Sequence, residues 1–154
     1  MVNMETKKLP EVLISIDETI RHLLDLSKVK QTVLINRNHD ELNELIEREQ
    51  KYLTNISHLS KQQKLFTEQL KLNFEVPSDI NSIIDILEII GNRLDPNFRN
   101  TVLTALYSIQ ENSLELHKIN EQNKMLIETS RAFIKSIIQA VRGSVDNSII
   151  NRRM

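Results

Sequence analysis

From Asp95-Pro96 to Gly143 no residue interrupts a helical pattern. Aspartate is a preferred N-cap, because its carboxylate can accept from the free N–H groups of the first turn. Proline suits the first helical position, where its missing N–H is not needed, and glycine is the usual residue just past a helix end. A helix of about 46 residues, at ~1.5 Å rise per residue, is a rod of about 70 Å. The segments before it allow only shorter helices. Part of the rod's apolar face is therefore expected to lack a partner within the chain, and an unpaired apolar stripe is a place where another protein can bind.

Composition narrows the classes. A chain of 154 residues is expected to form one domain. Two glycines, three prolines and no cysteine or tryptophan suit a helical bundle or coiled coil. The net charge of −1 argues against a general nucleic-acid binder, which needs a basic excess. No apolar run approaches the roughly 18 residues of a membrane span, and Met1 to Lys8 is too polar for a signal peptide. A cytoplasmic protein with no stable membrane insertion is expected, in keeping with the lack of cysteine.

The expected fold is all-α. It is an elongated antiparallel helical hairpin with a short apolar helix and one long C-terminal helix, in a single domain over residues 1–143. The first helix spans about 9–35, with Leu9, Leu13, Ile16, Ile20, Leu23 and Ser27 on one face. Asn36 to His39 breaks the pattern, and Asn38 with Glu41 resembles a capping box. The second helix, about 40–72, carries Leu42, Leu45, Glu49, Tyr52, Ile56, Leu59, Gln63, Phe66 and Leu70 at alternating steps of three and four. A short connection and matching stripes make these two a hairpin. The segment 79–90 is rich in isoleucine, which would also suit a strand. Read as a helix capped by Ser78 or Asp79 and ended by Gly91, it plugs one end of the bundle. The last helix, about 96–142, has Val102, Leu106, Ile109, Ser113, Leu116, Asn120, Asn123, Ile127, Ser130, Ile134, Ile137 and Val141 on its seam. Leu126, Phe133 and Ile138 widen the stripe toward the C-terminus. Residues 144–154, basic at Arg152-Arg153, read as a flexible tail.

Catalytic and metal chemistry find little footing. His22, His39, His58 and His117 lie in separate elements, and no Glu-x-x-His occurs. Surface roles are expected for them. The chain has no thiol and no glycine-rich phosphate loop. No catalytic residue, cofactor or metal is expected. Asn120 and Asn123 on the seam read equally well as setting helix register, as buried Asn does in coiled coils, or as binding a partner.

The segment Leu116-His117-Lys118-Ile119-Asn120-Glu121-Gln122-Asn123-Lys124-Met125-Leu126-Ile127 resembles the Leu-x-x-x-Asn-x-x-Asn-x-x-Leu pattern of FlgN-type flagellar export chaperones. The order of elements is similar as well, from about Leu9 to Val141. The resemblance implies a cytoplasmic chaperone, with no cofactor and no reaction. It would hold the C-terminal helical segments of the hook–filament junction proteins, prevent their premature assembly and deliver them to the flagellar type III export gate. It further implies that the C-terminal helix carries substrate binding, at the matching positions Leu116, Asn120, Asn123, Leu126 and Ile127. The stripe itself adds Ser130, Phe133, Ile134, Ile137, Ile138 and Val141. A competing expectation is a self-associating coiled-coil scaffold with no export role, whose last helices pair across a homodimer.

Overall fold

The computed structural model describes Met4 and residues 6–153, with side chains for Met4 and residues 6–143. Four α-helices follow in order: α1 Leu9–Asn36, α2 His39–Asn73, α3 Ile83–Ile90 and α4 Pro96–Arg153. Short 3-10 turns at Thr6–Lys8 and Gly91–Arg93 precede α1 and follow α3. The described residues include no strand.

The helix ends show why the chain breaks where it does. Arg37 adopts a left-handed conformation (φ 57°), and the N–H groups of Arg37 and Asn38 turn back to the carbonyls of Leu34 and Val33. That is the Schellman pattern, with arginine where glycine is usual. Asn38 then caps α2: its Oδ1 accepts from the Glu41 N–H at 3.3 Å, and its Nδ2 donates to Glu41 Oε2 at 3.1 Å. A standard capping box would return the Glu to the backbone N–H of the cap. Here that N–H already closes α1, so the side-chain amide takes its place and one residue serves both helices. Asn38→Ala is expected to lower stability by about 1 kcal/mol. A thermal scan should read this as a midpoint roughly 2–4 °C lower. At α4, Asp95 Oδ1 accepts from the Asn97 N–H at 3.2 Å and the Asp95 carbonyl from the Arg99 N–H.

Two expected boundaries shift. The apolar segment is helical only from Ile83; the stretch before it is pinned instead by Lys71. That buried ammonium donates to the Ser78 carbonyl, Asn81 Oδ1 and Glu68 Oε1, which holds the 78–81 loop against α2 and satisfies the charge. The other end is as expected: α3 stops at Ile90 with Gly91 as its C-cap, right-handed (φ −54°), opening the turn toward α4. The second correction is at Gly143, where α4 continues to Arg153. Neither glycine has positive φ, so Gly143 makes no turn. Within a helix it costs only about 1 kcal/mol relative to Ala, which a long rod absorbs. The backbone of residues 144–153 is thus helical where a tail is expected from sequence; their side chains lie outside the described residues.

α1 is the central element. α2 runs antiparallel along one side of it, as the Thr19–Asn55 and Lys30–Glu49 hydrogen bonds and the His22–Tyr52 ring stack require. α4 runs parallel along another side, and direct contact between α2 and α4 is slight. The main core lies at one end of this array. There Leu9, Leu13 and Ile16 of α1 meet Phe66 and Leu70 of α2, Ile86, Leu87 and Ile90 of α3, and Val102 of α4. α3 therefore plugs the bundle end, as its hydrophobicity demands. A smaller cluster of Leu26, Val33 and Leu45 lies toward the hairpin turn.

Candidate partner-binding surface on the projecting end of α4

The register of α4 on α1 is set by polar contacts. Asp17, only 7% exposed, receives hydrogen bonds from Ser108 (2.8 Å) and Asn112 (2.9 Å) and pairs with Arg21 at 3.0 Å. Two to three turns on, Ser27 Oγ donates to Asn120 Oδ1 and the Ser27 carbonyl accepts from Asn123 Nδ2, both at 3.0 Å. Gln31 donates to Gln122 at 3.1 Å, and the Arg37 guanidinium lies 5.6 Å from the Phe133 ring centre. Each step along α1 is matched by a step along α4, so the end of α1 at Asn36 falls beside the start of the Phe133 turn.

From about that level α4 is no longer covered by the hairpin among the described residues. Every residue from Arg131 to Gly143 is exposed. Large apolar side chains persist there: Phe133 is 51% exposed, Ile134 53%, Ile137 46%, Ile138 47% and Val141 57%. Helical residues face their environment with a period of ~3.6, so these five form one contiguous face. It continues the seam that α1 covers lower down.

The other candidate residues sit differently. Leu116 is partly buried against the main core. Asn120 and Asn123 clasp Ser27; Asn123 is 3% exposed and its Oδ1 has no hydrogen-bond partner. Both thus hydrogen-bond to α1 within the chain, Asn120 from an exposed position. Asn123→Ala is expected to lower stability by about 1–3 kcal/mol, through loss of the bond to Ser27 and a small cavity, as urea denaturation would read. Leu126, Ile127 and Ser130 are half-buried, at the level where the bundle gives out.

At that level a cleft of about 310 Å³ opens between the hairpin turn and α4. It is lined by Val33, Leu34 and Leu42 from the hairpin and Ile127, Ser130 and Ile134 from α4, with Arg37, His39 and Arg131 also on its walls. The hairpin residues were not among those expected at the site. In sequence Arg37 and His39 mark a helix break, and Leu42 reads as hairpin packing. Only the register of α4 on α1 brings them beside Ile134.

An all-α array that projects an apolar helix face beyond its own core is suited to helix-on-helix association with another protein. A family model described as FlgN protein matches residues 1–150, nearly the whole chain. The chain belongs to the FlgN family. Membership gives it, in general terms, the role of a flagellar export chaperone, and the family is one of chaperones rather than enzymes. Neither the curated proteins nor the solved structures compared with the chain gave a match. Among the described residues no helix is long and apolar enough to cross a membrane, and no group of three or more His, Cys, Asp or Glu is placed to hold a metal ion.

Proposed function

We propose that this chain binds the C-terminal helical segments of hook–filament junction proteins along α4 from Leu126 to Val141. In the cytoplasm it would thereby prevent their premature assembly and deliver them to the flagellar type III export gate. The observation that carries this is the unbroken apolar face of Phe133, Ile134, Ile137, Ile138 and Val141 on the projecting end of α4. Family membership supplies the flagellar setting.

The physics suits a holding role. Axial-filament proteins need apolar helical termini to coil with their neighbours, and before assembly those faces aggregate in water. Laid against α4, such a segment buries its stripe and that of the chaperone together, as a helix in a groove. Burial contributes about 25 cal/mol per Å². Ordering the segment consumes about 2–5 kcal/mol or more of the gross gain. The result is binding firm enough to protect and weak enough to release.

Calorimetric titration with the C-terminal segment of a junction protein from the same genome tests this. Saturable binding with a negative heat-capacity change is expected. A folded monomer that ignores the segment would remove the substrate assignment. A tight dimer that ignores it would place α4 against α4 of a second copy and favour the scaffold alternative.

A further inference from the structure

The charge of the projecting segment is unlike that of the rest of the chain. Every acidic residue except Asp146 lies at or before Glu128, and Arg131, Lys135 and Arg142 follow. From residue 129 to 143 no carboxylate occurs. Among the described residues none of the three cations meets a carboxylate within ion-pair distance.

Their placement on the helix is one-sided. At ~100° per residue the apolar face runs from Phe133 through Ile137, Val141 and Ile134 to Ile138. Arg131, Lys135 and Arg142 follow next, together within an arc of about 40° beside Ile138. The same three cations line a shallow concavity with Ile134, Ile138 and Gln139. Around the remaining face lie Ala132, Ser136, Gln139, Ala140 and Gly143, all uncharged. A helix that rests on lipid spreads its cations over the polar face. Here they form a border along one edge of the stripe, the place that flanking charges take in a coiled-coil pair.

We propose that the helix bound by α4 carries a row of carboxylates along one edge of its own apolar face, meeting Arg131, Lys135 and Arg142, and seats a large apolar side chain in the cleft beside Arg37. For the partner's identity this rests on the function proposed above; the partner's chemistry follows from the charge and the cleft. Exposed charge pairs add little affinity singly, but a complementary row selects the partner and its register.

The test uses the whole chain and three amphipathic helical peptides that share one apolar face and differ only in an edge row of Glu, Gln or Lys. Anisotropy titration at low salt is expected to show the Glu peptide about tenfold tighter than the Gln peptide, with the Lys peptide weakest. The preference should vanish near 1 M salt, where screening acts over about 3 Å. The triple variant Arg131→Gln, Lys135→Gln, Arg142→Gln, with unchanged circular dichroism, should bind the Glu and Gln peptides alike. Equal affinity for the Glu and Lys peptides would overturn the proposal, as would a Glu preference that survives in the triple variant. So would a folded chain that binds anionic phosphatidylglycerol vesicles and none of the peptides. A Glu preference without binding of a junction-protein segment would sink the substrate assignment alone. Junction-segment binding lost in Ile134→Asp, with Glu and Gln peptides equal, would sink the charge rule alone.

Discussion

Ile134→Asp should lower the affinity for a junction-protein segment by about 100-fold or more, with helicity and thermal midpoint nearly unchanged. Two effects add. The bound complex loses the burial of the exposed half of an isoleucine, about 1 kcal/mol. It must also desolvate a carboxylate in an apolar contact, which costs further unless a cation follows it in. Together these exceed the ~2.7 kcal/mol that a hundredfold change in affinity represents. The free protein is spared, because Ile134 is already 53% exposed and water can reach the new carboxylate. Phe133→Asp, at 51% exposure, should behave alike, with the added loss of the Arg37 contact. Calorimetry and circular dichroism on the same samples decide the matter. Global unfolding of either variant would instead place these residues in the core.

Leu70→Ala is the opposite case. Leu70 is fully buried where α1, α2, α3 and α4 meet. Truncation removes its transfer free energy and leaves a cavity, so a loss of about 3 kcal/mol is expected. In a chain of this size the midpoint should fall by roughly 10 °C. Below that midpoint binding should persist, since the core cluster lies at the end of the bundle opposite the projecting helix. A loss of affinity in folded Leu70→Ala protein would mean that the two ends are coupled.

These two variants mark what the sequence could and could not convey. Periodicity is local, and where one face decides burial it was legible. Every position of the expected seam of α2, from Leu42 to Leu70, is buried or half-buried, and toward the core Thr67 and Lys71 are buried beside it. The caps at Asn38 and Asp95 are local chemistry and lie where the residue types put them. α1 was read less completely. Its stripe from Leu9 to Ser27 is buried, but so are Val12, Asp17, Thr19 and Leu24, because α1 has a neighbour on two sides. A single heptad seam cannot announce a second partner, least of all one met through Asp17, Ser27 and Asn123.

Gly143 shows the limit of a punctuation rule. Glycine ends a helix when the chain must turn with positive φ, and in α4 nothing asks it to. The 78–81 loop shows the converse: a segment with helix-capping residues is non-helical and hydrogen-bonded instead to the side chain of Lys71, at the end of α2.

By itself the sequence determined the all-α class, the long last helix and the excess of apolar surface upon it, since these follow from propensity and spacing within one segment. Tertiary structure alone decided where that surface goes free. The polar clasps at Asp17 and Ser27, with the buried Val102, Ala105 and Ile119, hold α4 parallel to α1 at one register, and past the end of α1 every residue from Arg131 to Gly143 is exposed. Asn123 was thereby drawn into the fold and the exposed Asn120 tied to Ser27, while Arg37, His39 and Arg131 were brought to the walls of one cleft. Register between distant helices is a sum over many weak contacts, and no single segment of sequence contains that sum.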